Sequence, residues 1–149
     1  MKEDINTQKR QFCTFLAGDH LFGVDILDVK EIYTEIDFTP ISHAPKQVKG
    51  YVNIRGHIHL ILDLRLLLEF ESKKTDEASR LVLFKPGVGE SFGVLVDRIG
   101  DVLEVDETQI EYYQETEFGV SCLKSGVCKL KNALLVILNS ENLLKSVCR

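Results

Sequence analysis

Long apolar runs are absent from this sequence of 149 residues. The longest purely apolar stretch covers residues 133–138, whereas a membrane-spanning helix needs about 20 such residues. Apolar residues still make up 44% of the chain and charged residues 28%, which is typical of a folded domain and not of a disordered one. We therefore expect a globular protein without a membrane span. The polar start of the chain predicts a flexible leader over residues 1–11 of a cytoplasmic protein.

Basic clusters and two common catalytic motifs are also absent. The 18 Lys and Arg residues are scattered and the formal net charge is −5, which argues against nucleic acid as a ligand. The sequence has no phosphate-binding loop with its lysine and no His-Glu-x-x-His. These absences predict a protein that is not an enzyme and has no cofactor.

The four cysteines show no Cys-x-x-Cys spacing, so we expect them to act as small apolar residues; they are Cys13, Cys122, Cys128 and Cys148.

Two histidines, His57 and His59, are spaced to lie on one face of a strand. They could begin a metal site together with a carboxylate such as Asp63, but a zinc site needs a third protein ligand and the spacing supplies none. We predict no metal and a solvated or interface pair, with a metal-binding protein as the remote alternative.

The sequence contains a pattern that occurs twice. Residues 22–24, Phe-Gly-Val, recur at 92–94, and residues 50–63 match 126–139 in their apolar positions, their first glycine and their closing Asp63 or Asn139. This predicts one domain over residues 12–147, built from pseudo-repeats at 12–69 and 80–147 with a polar linker at 70–79. Units this small are marginal alone, so we expect them to share apolar surface and to carry function in the seam between them.

Short strands dominate the predicted secondary structure. Hairpins are expected at 12–24 around Gly18-Asp19 and at 81–96, and further strands at 28–33, 51–54, 58–62 and 102–105. Residues 106–109 predict a helical turn. Asp63 is a candidate N-cap for a helix at 64–69, as is Asn139 or Ser140 for one at 141–147. The chain is therefore predicted to be mainly β, as small barrels or sandwiches with two short helices.

Six segments in order resemble the CheW-type coupling proteins, adaptors that join a chemotaxis histidine kinase to chemoreceptors. They lie at residues 15–19, 23–32, 50–56, 63–65, 93–97 and 126–139, so the resemblance covers nearly the whole chain. It implies two SH3-like five-stranded β-barrel subdomains with a third apolar core between them. It also implies a stand-alone, non-enzymatic adaptor that is recruited to membrane-associated receptor arrays.

The resemblance further implies two partners: the regulatory domain of a CheA-type kinase, and the helical-hairpin tip of a chemoreceptor in the groove between the barrels. Carried over by position, the partner-binding residues would be Val29, Glu31, Asn53, Arg55 and Gly56. The structural positions of the motif would be Gly50, Asp63, Gly93, Gly126 and Asn139.

Alternative interpretations apply to Arg55, to the segment 57–60 and to the pathway that the adaptor serves. Arg55 lies where one strand passes into the next, so it either braces that bend, lines a partner groove, or does both. Leu60 stands where many members have proline, and His57 and His59 are unusual neighbours that could narrow the choice of receptor. An adaptor for another kinase pathway, in gliding or development, is the alternative function.

Overall fold

Eleven strands and two short helices make up the ordered elements of the computed structural model, which describes residues 8–34, 36–88, 90–114 and 120–147. The strands are β1 (Lys9–Ala17), β2 (His20–Asp25), β3 (Val29–Tyr33), β4 (Val48–Ile54), β5 (His57–Asp63), β6 (Arg80–Phe84), β7 (Phe92–Val96), β8 (Arg98–Asp106), β9 (Ile110–Tyr112), β10 (Lys124–Lys129) and β11 (Leu134–Leu138). The helices are α1 (Leu64–Leu67) and α2 (Ser140–Lys145), and 3-10 turns occur at Ile26–Asp28, Glu107–Gln109 and Val120–Leu123. The mainly β prediction is confirmed.

The strands form two mixed sheets. Sheet A has six strands in the order β8-β1-β2-β11-β10-β9, and sheet B has five in the order β3-β6-β7-β5-β4. Neighbours pair antiparallel except β2 with β11 and β5 with β7, which pair parallel. Each sheet therefore contains strands from both halves of the chain.

The matched sequence segments occupy equivalent places in the two sheets. The hairpin β1–β2 in sheet A corresponds to β6–β7 in sheet B, and β10–β11 corresponds to β4–β5. Sheet A has one strand more than the five expected, because β9 adds to the edge of β10. At the corresponding edge of sheet B the described residues form a single bridge, between Thr39 and Tyr51.

Within the described ranges, apolar side chains form three clusters, in agreement with a core in each subdomain and a third between them. The sheet A cluster is Phe12, Val105, Ile110, Cys128, Leu135 and Ile137. The sheet B cluster is Val52, Ile61, Leu81, Leu83 and Leu95. A larger central cluster takes residues from both sheets and both helices, including Phe15, Phe22, Phe84, Phe92, Leu64 and Leu143. The sheets thus share their largest apolar core.

A polar clamp also joins the two sheets. Arg65 in α1 donates three hydrogen bonds to Asp97: Nε to Oδ1 at 3.0 Å, Nε to Oδ2 at 3.1 Å and Nη2 to Oδ2 at 2.8 Å. The Gly18 N–H, in the β1–β2 turn of sheet A, donates to the same Asp97 Oδ2 at 2.8 Å. Burial opposes charge on Asp97, but the hydrogen bonds from Arg65 and Gly18 outweigh it and lower the pKa of the carboxyl.

Both helices are shorter than predicted. α1 ends at Leu67, and not at residue 69, because Glu69 adopts a left-handed backbone with φ of 64°. α2 ends at Lys145, two residues before its predicted end. The predicted helical turn at 106–109 is present, with Asp106 as its cap.

Cys13, Cys122 and Cys128 are free and buried, as expected of small apolar residues, while Cys148 lies outside the described residues. Residues 1–7 of the predicted leader at 1–11 lie outside them as well, whereas residues 9–11 belong to β1 and pair with β8. None of the described helices has the length and apolar character that crossing a membrane requires.

Candidate partner-binding surface

The turn between β4 and β5 has an unusual backbone. Ile54 pairs with His57, so Arg55 and Gly56 alone make the turn. Both have positive φ, 52° for Arg55 and 86° for Gly56. A two-residue turn of this hand matches the twist of a hairpin, and glycine adopts it freely. For an L-residue such as arginine this conformation costs about 1–2 kcal/mol, and such strain in a native chain concentrates at functional positions.

Arg55 is held in place by two residues of β3. Its guanidinium donates to the Glu31 carboxylate and lies over the Tyr33 ring, 5.9 Å from the centroid. The Tyr33 hydroxyl also donates to Glu31, at 3.2 Å. The hydrogen bond from Arg55 lowers the pKa of Glu31, and the same bond raises the pKa of Arg55. The pair stays accessible, since 63% of the Arg55 side chain and 33% of the Glu31 side chain are exposed.

The contact joins opposite edges of sheet B. β3 and β4 are the two edge strands, yet the β4–β5 turn reaches back to β3. The sheet is therefore strongly curled, as expected of a barrel-like subdomain.

Four of the five predicted partner-binding residues lie close together. Glu31 and Arg55 are in contact, and Asn53 Oδ1 accepts a hydrogen bond from the Gly56 N–H at 3.0 Å, which fixes the turn. Val29 lies in the same strand as Glu31, but its half-buried side chain packs against the central cluster.

Three of the predicted structural positions are glycines at close approaches. A Cβ on Gly50 would lie 2.1 Å from the Thr39 carbonyl oxygen, and one on Gly126 would lie 2.7 Å from that of Glu111. A Cβ on Gly93 would lie 2.7 Å from a Leu83 methyl carbon and 2.9 Å from the Val82 carbonyl oxygen.

The other two structural positions are helix caps. Asp63 Oδ1 accepts a hydrogen bond from the Arg65 N–H at 2.9 Å at the start of α1. Asn139 Oδ1 accepts one from the Asn142 N–H at 3.2 Å at the start of α2. Each satisfies a backbone donor that the helix leaves unpaired.

An apolar groove beside the turn was not predicted residue by residue. It has a volume of about 610 Å³ and is lined by Ile41, Tyr51, Ile58, Leu60, Pro86, Glu90, Ser91 and Leu144. Ile58 and Ile41 are 52% and 40% exposed. The alternation of Tyr51, Ile58 and Leu60 along the hairpin is a signal that could have found this face. Nothing in the sequence indicates that α2 brings Leu144 to it.

The two histidines differ in their surroundings. His57 is exposed, whereas His59 is buried with 7% exposure, so they are not a solvated pair. In the described part of the chain no three His, Cys, Asp or Glu side chains are grouped so as to hold a metal ion.

Comparison with known proteins decides the family. The family model of the CheW-like domain matches residues 11–148. The chain belongs to the CheW-like family. It is 28% identical over 144 residues to the chemotaxis protein CheW of Helicobacter pylori, with 97% of this chain and 87% of that protein covered. It is 32% identical over 143 residues to the CheW of Klebsiella aerogenes, with 94% and 84% covered.

The fold is shared with a solved CheW-like structure. The crystal structure of the scaffolding protein TtCheW from Thermoanaerobacter tengcongensis matches with a TM-score of 0.79 and 24% identity. The match covers 88% of this chain and 89% of that one. The two-sheet architecture described above is therefore a CheW-like fold.

Proposed function

We propose that this protein is a non-enzymatic chemotaxis adaptor that couples a CheA-type histidine kinase to chemoreceptors. Membership of the CheW-like family supports an adaptor role in chemotaxis. The protein would occupy two partners at once and so raise the effective concentration of the kinase near the receptor. Its site of action would be the receptor array at the membrane.

The observation that carries this proposal is the exposed, strained Arg55. A cation fixed at a rigid turn, with part of its carboxylate partner accessible, is suited to bind a carboxylate of another protein. Glu31 holds the guanidinium in position, and Asn53 and Gly56 hold the turn. Val29 would support β3 from the central cluster.

The apolar groove supports a second part of the proposal. Aliphatic and aromatic side chains in a concave site next to fixed charges are the usual anatomy of a protein interface. Leu144 from α2 and Leu60 from β5 line the same groove, so a helical tip docked there would contact both halves of the chain. Movement of one half against the other is a route by which receptor state could reach the kinase.

Reconstitution of receptor, kinase and this protein tests the function. We expect kinase activity to appear only in the ternary mixture and to be lost with Arg55→Ala, whose affinity for at least one partner should fall about tenfold, or ~1.4 kcal/mol. The matched control is Lys131→Ala, because Lys131 is exposed at the corresponding position between β10 and β11.

Equal loss of activity in both variants would contradict a specific role for Arg55. A strongly lowered melting temperature of Arg55→Ala would make the residue mainly structural. Binding of the unaltered protein to neither partner would exclude the coupling function and direct the search to a kinase of another pathway.

A further inference from the structure

Two described residues, Ser140 and His59, have a buried side-chain polar atom without a hydrogen-bond partner, and of the two it is His59 whose side chain can change its charge between about pH 5 and 8. It lies in β5, is 7% exposed, and its Nδ1 is buried without a hydrogen-bond partner. Val52 of β4 stands opposite it, and β7, the neighbour of β5 on the other side, carries no charged residue. A buried polar atom without a partner destabilises the folded state and calls for an explanation.

The fold does not require a histidine at this place. The corresponding residue of β11 is Leu135, which is fully buried in the sheet A cluster. An apolar residue therefore fits the equivalent position in sheet A, so the fold does not explain why sheet B has a histidine, His59, at this position.

Four charged or titratable groups influence the pKa of His59. Lys30 and Glu31 come from β3, Arg55 from the turn, and His57 from the same strand. Glu31 is the one anion in this set, and Arg55 and Tyr33 already hold its carboxylate. Burial lowers the pKa of His59, and Lys30 and His57 lower it further. The imidazole is thus neutral at pH 7. If it took up a proton, Glu31 would be the one carboxylate of this set that could pair with it, and that carboxylate is already hydrogen-bonded.

We propose that His59 makes the Arg55–Glu31 pair sensitive to pH. Near neutral pH the uncharged imidazole lies buried in β5, two residues from His57, which pairs with Ile54 beside the Arg55 turn, and it leaves Glu31 to Arg55. When the surroundings acidify, the imidazolium competes with Arg55 for Glu31, or the end of β5 opens to hydrate it. In both cases Arg55 loses the partner that holds it in its strained turn. The effect on partner binding rests on the proposed function, whereas the coupling inside the chain does not.

Nuclear magnetic resonance of the full chain tests the coupling without any partner. The ring signals of His59 and the backbone amide signals of Arg55 and Gly56 are followed from pH 8 to pH 5. We expect the midpoint of His59 to lie below the ordinary histidine pKa of about 6.5, and the two amides to shift with that midpoint. His59→Leu introduces the residue that sheet A has at Leu135. In this variant the two amide signals should no longer shift with the midpoint of His59, whereas in His57→Asn they should still do so.

If the amide signals of Arg55 and Gly56 did not shift with pH in the unaltered protein, the inference would be overturned. This result does not depend on whether His59→Leu folds. Amides that titrate equally in His59→Leu would also overturn it. Because no partner is present, either failure leaves the proposed adaptor function intact.

Thermal melting gives a second readout with a definite sign. A histidine whose pKa is lowered by folding takes up its proton more readily in the unfolded chain, so stability falls as the pH drops below its ordinary value of about 6.5. We expect the melting temperature to fall between pH 7.5 and pH 5.5, and to fall less in His59→Leu. An equal fall in both proteins would count against His59 as the sensor.

Discussion

The two hairpins β4–β5 and β10–β11 hold the same place in their sheets, but their turns differ. Arg55 and Gly56 close the first in two residues with positive φ, whereas the second is connected by the four residues 130–133. None of the described residues in that connection has positive φ, and the Leu130 N–H donates to the Ala133 carbonyl at 2.8 Å. Pairing of such a hairpin therefore does not require a strained arginine. The features that the two hairpins share are explained by the fold, so we look for function in the turn, where they differ.

The largest expected effect concerns the two matched glycines. Gly50→Ala would place a Cβ 2.1 Å from the Thr39 carbonyl oxygen at a residue with φ of 150°, so we expect a loss of about 4 kcal/mol in the free energy of unfolding. Gly126→Ala meets Glu111 at 2.7 Å and should lose about 2 kcal/mol. Urea denaturation measures both. The same loss at both positions would mean that the two close approaches are equivalent after all.

An intermediate effect is expected where the two helices differ. Arg65 in α1 clamps Asp97, whereas the matched position in α2 is Glu141. Arg65→Ala should lose about 2 kcal/mol, because it leaves a partly buried carboxylate without the hydrogen bonds that Arg65 donates to both of its oxygens. The matched control Glu141→Ala should lose about 0.5 kcal/mol or less.

The clamp also has a pH signature. The pKa of Asp97 is lowered by folding, so its contribution is present above the ordinary carboxyl value of about 3.9 and is lost as the pH falls below it. The difference between the unaltered protein and Arg65→Ala, measured by chemical denaturation, should therefore shrink below pH 4. A difference that is constant from pH 7 to pH 3 would show that packing, and not charge, explains the effect of Arg65.

The smallest change in stability is expected at the turn itself. Arg55→Asn creates the Asn-Gly pair that suits a turn of this hand, while it removes an exposed ion pair that contributes little. Stability should change by no more than about 0.5 kcal/mol, although partner binding should fall. Lys131→Asn is the control for both measurements. A loss of 2 kcal/mol in Arg55→Asn would mean that Arg55 braces the fold.

Local sequence signals predicted the local structure well. Asp63 and Asn139 each precede a helix and cap it, because a side-chain oxygen next to free backbone N–H groups needs no distant partner. The hairpin β1–β2 is where its turn residues predict it. The helix predicted at 64–69 ends earlier, because Glu69 adopts a left-handed backbone. Nothing in the composition of that segment indicates this.

The candidate site was only partly accessible to such reasoning. Arg55 could be singled out from its place between strands, and Glu31 from the family motif. Their contact depends on the curl of sheet B, which brings two edge strands together. His59 was expected to share the environment of His57, but alternation along a strand gives the face of a side chain and not how deeply that face is covered.

The sequence by itself determined the β-rich class, the matched segments, the caps and the family motif, because each depends on neighbours along the chain. The tertiary structure decided which strands share a sheet, that Arg55 meets Glu31, and that Leu144 reaches the groove beside Ile58. These contacts join residues far apart in the chain, and their geometry follows from burying one central cluster between two curled sheets. Local propensity does not predict that packing, because the packing depends on contacts throughout the whole chain.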